Sequence, residues 1–169
     1  MKELIKMSAA IFLLLLAFSC RNEIIEPGDD ENSSVNEDCA CSANDNAAVL
    51  KVGAGRQYKT LKEAAAAAKN NTVIEIDAGT YRGDAAVALW TQDSLVIRAS
   101  DGEVTLDADG KSMEDKAIWV IDGGTVCVEE ITFINAKVSD QNGAGIRLTD
   151  GQLTVIDCRF LHNEMGLLT

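Results

Sequence analysis

A repeat in the second half of the chain constrains the fold more than any other feature of the sequence. The segment "IWVIDGGTVCVEEITFINA" (118–136) aligns with "IRLTDGQLTVIDCRFLHN" (146–163), and a weaker copy, "SLVIRASDGEVTLDADG", occupies residues 94–110. Repeats of about 20–50 residues are typical of solenoid proteins. Because each copy consists of a short strand, a turn and a second short strand, the repeat predicts a β-solenoid and not a helical array.

The alignment of the two clearest copies predicts which side chains stack inside the solenoid. It matches Val126, Val128, Ile131 and Phe133 with Leu153, Val155, Cys158 and Phe160. Equivalent residues of successive parallel coils lie about 4.8 Å apart and bury one another's apolar side chains. We therefore expect Val128 to lie against Val155 and Phe133 against Phe160. Cys158 is predicted to be a small core residue and not a reactive thiol.

The same alignment assigns a phase to the strand that begins each copy. It matches Ile118 with Ile146 and Val120 with Leu148, all four pointing inward. Trp119 lies between two inward residues, so it is a candidate for an outward position, where it could stack on a sugar ring, although packing in the core or at its rim is the favoured interpretation.

Turn residues between the strands offer two weaker patterns. Asn135 and Asn163 follow equivalent phenylalanines, so their amides are expected either to pair along the solenoid axis or to be ordinary turn residues. The stretch "DADGKSMED" (107–115) resembles the beginning of a calcium loop but lacks the remaining ligand spacing. It therefore does not predict a metal site.

Residues 60–71 contain the only clear helix pattern in the chain. Thr60 and Glu63 form a capping box, the run 64–68 is all alanine, and Asn70-Asn71 suit the helix end. The stretch "TVIEIDAG" that follows alternates in polarity, which predicts a half-buried strand with a turn at Gly79. We therefore expect one short helix followed by β-structure.

The N-terminus is typical of an export signal. Residues 1–19 combine a basic start with an apolar run that is too short to cross a bilayer comfortably. The sequence "LAFSC" resembles the lipobox of bacterial lipoproteins, which implies lipidation of Cys20 and attachment to a membrane. The alternative is an ordinary signal peptide cut nearby. The polar and acidic residues 20–46 are predicted to form a flexible tether to a domain that covers residues 47–169.

Charge and cysteine content narrow the range of partners. The net charge of -12 disfavours nucleic acid, because phosphates would remain unneutralised. Cys39 and Cys41 are interpreted either as unpaired or locally oxidised tether residues or as partners of other cysteines. Cys127 is predicted to point outward, which argues against a bond to the inward Cys158. The chain has a single histidine, His162, which argues against a histidine-based metal site, and no metal ligands are assigned.

Three pieces of the chain together resemble a known superfamily. They are "YKTLKEAAAAA", "VIEIDAGTYRG" and the coil "GAGIRL" followed by "LTVIDCRFLHNEMGLLT". They are similar to the opening and the coils of right-handed parallel β-helices of the pectate-lyase-like superfamily. The resemblance implies an all-β fold with a short N-terminal capping helix. Because the superfamily includes lyases, hydrolases, esterases, epimerases and non-catalytic adhesins, it leaves open whether this chain is an enzyme.

The resemblance also bears on how much of the protein the chain represents. The final "GLLT" would leave the edge of a coil open to pairing with another strand. We therefore expect either that further coils follow, which is the favoured interpretation, or that another chain covers the edge. The resemblance implies that catalytic acids and Ca²⁺ ligands lie on middle coils, largely beyond this segment.

Four residues are the candidates for contacting a ligand. Glu130 and Asp157 are expected to lie side by side on neighbouring coils, where they could hold Ca²⁺ or bridge to a uronate. Arg159 could meet a substrate carboxylate, and an outward Trp119 could stack on a sugar. The alternative is that the charged residues form an ordinary solvated face.

Two functional hypotheses follow from these observations. The first is a membrane-anchored β-helix that binds or acts on polysaccharide by an unassigned reaction. The second is a non-catalytic surface or adhesion β-helix. Arg21 after the predicted lipidated cysteine lacks the aspartate that in enteric bacteria retains lipoproteins in the inner membrane, so the sequence favours an outer-membrane lipoprotein.

Overall fold

The computed structural model describes residues 41–169, and all paired strands in this range run parallel. They form a β-solenoid of about four turns with one short helix. The elements are β1 Ala48–Val52, α1 Leu61–Ala67, β2 Thr72–Arg82, a 3-10 turn Gly83–Ala85, β3 Ala88–Trp90, β4 Leu95–Asp107, β5 Ala117–Glu129, β6 Ile131–Ile134, β7 Ala144–Ile156, β8 Arg159–Leu161 and β9 Met165–Leu168. The predicted parallel β-solenoid is therefore confirmed.

The strands stack into three faces, which we name by their residues. Face A contains residues 48–52, 72–76, 95–99, 126–129 and 153–156. Face B contains residues 79–82, 104–107, 131–134 and 159–161. Face C contains residues 88–90, 117–121, 144–148 and 165–168. The long strands β2 and β4 bend from face A to face B, whereas β5 and β7 bend from face C to face A.

The predicted interior stacks of faces A and B are confirmed. Val128 pairs with Val155, and Val126 pairs with Leu153. Phe133 pairs with Phe160, and their rings lie stacked with centroids 5.2 Å apart and planes only 8° from parallel. Because apolar burial is favourable and non-directional, like side chains piled coil upon coil form one continuous core.

The helix α1 begins where the capping box predicts and packs against the core. Thr60 is the N-cap, its hydroxyl accepts a hydrogen bond from Glu63 N, and the Glu63 carboxylate accepts one from Thr60 N. The buried side chains of Leu61 and Ala64 face the core. The helix ends at Ala67, before the predicted asparagines. Within residues 41–169, no helix is both long enough and apolar enough to cross a membrane.

The predicted phase of face C is wrong by one residue. Trp119, and not Ile118, pairs with Ile146, and Val120 pairs with Arg147. Trp119 is therefore inside the solenoid and fully buried, and its Nε1 donates to Ala86 O at 2.9 Å. The indole packs edge-on against Trp90 and Phe133. The favoured interpretation of Trp119 as a core residue is therefore confirmed, and its candidacy as an outward sugar-stacking residue is wrong.

The two turn asparagines bond along the solenoid axis, but not to each other. The Asn135 amide donates to Asp107 Oδ1 of the preceding coil at 2.9 Å. The Asn163 amide donates to Phe133 O at 2.9 Å and accepts from Ala136 N at 2.8 Å. Each amide therefore joins its own coil to the one before it.

Candidate functional site

A groove of about 600 Å³ follows the corner between faces A and B. It is open to solvent and crosses three successive coils, contributed by β4, by the junction of β5 with β6, and by the junction of β7 with β8. Its lining is Gly102, Glu103, Val104, Glu130, Thr132, Asp157, Cys158 and Arg159. We call this feature the corner groove.

The backbone at the corner explains why two carboxylates line it. Glu130 separates β5 from β6 and has a φ of 57°, and Asp157 has a φ of 50° at the equivalent place one coil later. A residue in the left-handed region turns the chain sharply from one face to the next. Glu130 N donates to Ile156 O at 3.0 Å, which ties the two corners together. The carboxylates therefore recur coil after coil at the same rim.

The structure brings together three of the four candidate residues. Glu130, Asp157 and Arg159 all line the corner groove and are exposed. Arg159 pairs with Thr132 in the ladder between β6 and β8, so the guanidinium and the threonine hydroxyl belong to adjacent rungs of face B. The fourth candidate, Trp119, is buried on face C and does not line the groove.

Sequence reasoning missed Glu103 and Thr132 as lining residues. Glu103 lies in the weaker copy of the repeat, where the corner sequence "SDGEV" differs from "VEEIT" and "VIDCR". The pairing of Val104 with Ile131 aligns these corners across coils. Aligning that pair in the sequence would have placed Glu103 beside Glu130.

Cys158 forms part of the groove floor and packs against the core. Its side chain is half-buried, and its thiol donates to Val128 O at 3.6 Å. Burial raises the pKa of the Cys158 thiol to about 11. Since only the thiolate is a strong nucleophile, Cys158 is a poor nucleophile at neutral pH. The position fits the predicted core role.

Metal coordination is not built into the described part of the chain. Among residues 41–169, no group of three or more His, Cys, Asp or Glu side chains is arranged to hold a metal ion. The carboxylate of Asp107, which opens the calcium-like stretch, is buried and already bonded to Arg82 Nη1 at 2.6 Å and to Asn135 Nδ2 at 2.9 Å. The predicted lipidation site, Cys20, lies outside the described residues.

A disulfide joins the start of the described chain to the solenoid. Cys41 bonds to Cys127, with Cα atoms 5.8 Å apart and a sequence separation of 86. The interpretation of Cys41 as an unpaired or locally oxidised tether residue is therefore wrong. Cys127 does point outward from face A, which is why Cys41 can reach it. The sequence offered no local signal for this pairing because the two cysteines belong to segments far apart in the chain.

Comparisons with known proteins leave the family of the chain open. No family model matches it, and no match is found among curated proteins or among solved structures. The residues of the chain itself are therefore the evidence that bears on its function.

Proposed function

We propose that this protein is an exported, membrane-anchored β-solenoid that binds a polysaccharide in the corner groove. The observation that carries the proposal is the recurrence of hydrogen-bonding side chains along the solenoid axis, with Glu103, Glu130 and Asp157 on three successive coils. Successive coils are about 4.8 Å apart, a spacing comparable to the length of one sugar unit in an extended chain. A polymer lying along the axis would meet one carboxylate per coil.

The chemistry of the groove favours a glycan rich in neutral hydroxyl groups. Ionised carboxylates accept strong hydrogen bonds from hydroxyl donors. Arg159 and Thr132 supply complementary donors on the face B side. The lining carries three carboxylates against one guanidinium, so its net charge is -2. Like charges placed together oppose binding, so a polyuronate would need a divalent cation to bridge it to the groove.

Export and anchoring are supported by separate features. Residues 1–19 have the pattern of a secretory signal, and Cys20 stands where a lipoprotein would be lipidated. Structural disulfides persist mainly in oxidising compartments, so the Cys41–Cys127 bond agrees with an extracytoplasmic location. The resemblance to the pectate-lyase-like superfamily is consistent with a role at the cell envelope.

Binding without an assigned reaction is the form of the proposal that the groove supports best. The thiol nearest the groove floor, Cys158, has its pKa raised to about 11 by burial and is unsuited to nucleophilic chemistry. This argues against a cysteine-dependent reaction in the groove, and the proposal therefore assigns binding alone.

The proposal is tested by calorimetric titration of the full chain with a neutral polysaccharide and with polygalacturonate, each with and without Ca²⁺. We expect the neutral polymer to bind in both conditions and the polyuronate only with Ca²⁺. Asp157→Asn should weaken binding of the neutral polymer about tenfold, since a charge-assisted hydrogen bond is lost. Asparagine tolerates the left-handed backbone at this position, so the fold should be retained.

Asp140→Asn is the matched control, because Asp140 is exposed and lies outside the groove lining. Equal effects of the two substitutions, or binding of neither polymer, would rule out the corner groove as a glycan site. Release of unsaturated uronate, followed by its absorbance, would instead indicate a lyase and support the first of the two hypotheses over the second.

A further inference from the structure

The segment 41–47 crosses the outer surface of face A along the solenoid axis. At one end it begins with Cys41, bonded to Cys127 of β5. At the other end it leads into β1, the first strand of the same face, where Ala48 N donates to Asn71 O at 3.1 Å. We call residues 41–47 the strap. It spans the strands from β5 back to β1.

The strap covers an apolar stripe that the solenoid would otherwise expose. Cys41 is buried against Val73 of β2 and Val96 of β4, which are themselves only 3% and 5% exposed. Cys127 and Ile156 pack at the edge of this cluster. These side chains point away from the solenoid core, so the strap is their only apolar cover within the described chain. A cavity of about 170 Å³ lies beneath the strap at the corner that precedes face A.

Apart from the disulfide, few interactions hold the strap in place. Cys41 N donates to Glu129 Oε1 at 2.6 Å, and the Asn44 amide donates to Asn71 Oδ1 at 2.9 Å on the surface. Residues 42–46 are all exposed. Within the strap, Ala47 N also donates to Asn44 O at 2.9 Å. These three hydrogen bonds and the small apolar contact with Val73 and Val96 offset only part of the conformational entropy lost by ordering seven residues. The disulfide is therefore the interaction on which the closed strap depends.

We propose that the strap is a redox-controlled cover, which the Cys41–Cys127 disulfide closes and which reduction opens while the solenoid stays folded. The coils do not depend on the strap, because their ladders and their continuous core involve other residues. Opening would expose the Val73 and Val96 stripe and free the Glu129 carboxylate.

The opening step is an ordinary thiol–disulfide exchange with a dithiol. One thiolate of the dithiol attacks a sulfur of the Cys41–Cys127 bond and forms a mixed disulfide. The second thiolate of the dithiol resolves it. Cys41 and Cys127 gain two electrons and two protons in total and become thiols, while the dithiol becomes its own disulfide. Closing is the reverse reaction with a disulfide oxidant.

Hydrogen exchange followed by mass spectrometry tests the proposal on the full chain, with and without dithiothreitol. We expect the peptide that contains Cys41 and Ala47 to exchange at least tenfold faster after reduction. The reason is that the hydrogen bonds from Cys41 N to Glu129 Oε1 and from Ala47 N to Asn44 O are lost. Peptides from β6 and from the Val126–Val128 stretch of β5 should keep their protection. A dye that binds apolar surface should gain fluorescence in parallel.

Variants separate the disulfide from other effects of reduction. Cys41→Ser should open the strap without a reductant, and it is best made together with Cys39→Ser, so that Cys39 cannot replace Cys41. Cys158→Ser is the matched control and should leave the strap closed. Unchanged exchange of residues 41–47 after reduction would overturn the proposal, because the strap would then be held without the disulfide. Simultaneous loss of protection in β5 and β6 would overturn it as well, because the disulfide would then hold the whole fold.

Discussion

Two neighbouring columns of side chains on face A, one inner and one outer, follow opposite stacking rules. On the inner side, Ile74, Ile97 and Val128 lie one above another, all fully buried. On the outer side, one residue further along the same strands, Glu75 and Arg98 lie one above another. Like residues therefore stack in the inner column, whereas unlike charges stack in this outer column.

Electrostatics explains the difference. Glu75 accepts from Arg98 Nη2 and from Lys51 Nζ, both at 3.0 Å, so the column alternates in sign. Identical charges stacked at the coil spacing would repel, whereas identical aliphatic groups only gain by contact. The next residue of the outer column, Glu129, instead accepts from the strap at Cys41 N. This solenoid therefore keeps its interior apolar from coil to coil, while the charges of its exterior vary.

The largest expected effect on the free energy of unfolding comes from a substitution in the buried core. Trp119→Ala should lower the free energy of unfolding by about 3–5 kcal/mol, because it removes a fully buried indole and leaves a cavity. Urea denaturation of the two proteins measures the difference. A loss below about 1 kcal/mol with a loss of glycan binding would mean that Trp119 faces a ligand and would contradict its place in the core.

A smaller effect is expected from trimming the aliphatic stack. Ile97→Val should cost about 0.5–1.5 kcal/mol, since one buried methylene is removed from a fully buried position. The same denaturation experiment on Val49→Ala, at an exposed position of face A, provides the control and should show a change within about 0.5 kcal/mol. Equal costs at the two positions would contradict the difference in burial between Ile97 and Val49.

The smallest effect on the free energy of unfolding is expected from a substitution in the outer charged column of face A. Hydrogen bonds from Arg98 and then from Lys51 hold the pKa of Glu75 below its ordinary value of 4.5. A lowered carboxyl pKa stabilises the fold above the ordinary pKa, and this contribution is lost as the pH falls through the lower folded value. Glu75→Gln should therefore cost about 0.2–1 kcal/mol at neutral pH, as exposed ion pairs do.

Thermal melts from pH 7 to pH 2.5 provide the measurement for this substitution. The difference between Glu75→Gln and the unaltered protein should shrink below pH 4.5. A difference that stays constant over this range would show that the carboxylate charge does not contribute.

The sequence predicts inward and outward side chains most accurately where apolar and polar residues alternate. In "TVIDCRF", the polar residues Thr154, Asp157 and Arg159 mark the outward phase on both sides of the corner, so the inward positions Val155 and Phe160 were assigned correctly. In "AIWVI" every residue is apolar, so a period of two has no phase to detect. The one-residue error at Trp119 follows from that uniformity.

At the candidate site, too, the sequence predicted some positions correctly and missed others. Glu130 and Asp157 were correctly expected to lie together because the two clearest repeats align them, although their role in binding remains a proposal. Glu103 was missed because its copy of the repeat is the weakest. The groove is a property of three corners at once, and no single segment of the sequence contains it.

The sequence alone determined the β-solenoid, its capping helix and the side chains that stack in faces A and B, because these depend on local polarity and on a repeat that any alignment reveals. Only the tertiary structure decided the burial of Trp119, the joining of Cys41 to Cys127 and the assembly of the corner groove. The physical reason is that each of these depends on which residues of distant coils come within a few ångströms of one another, and that distance is set by register and not by composition.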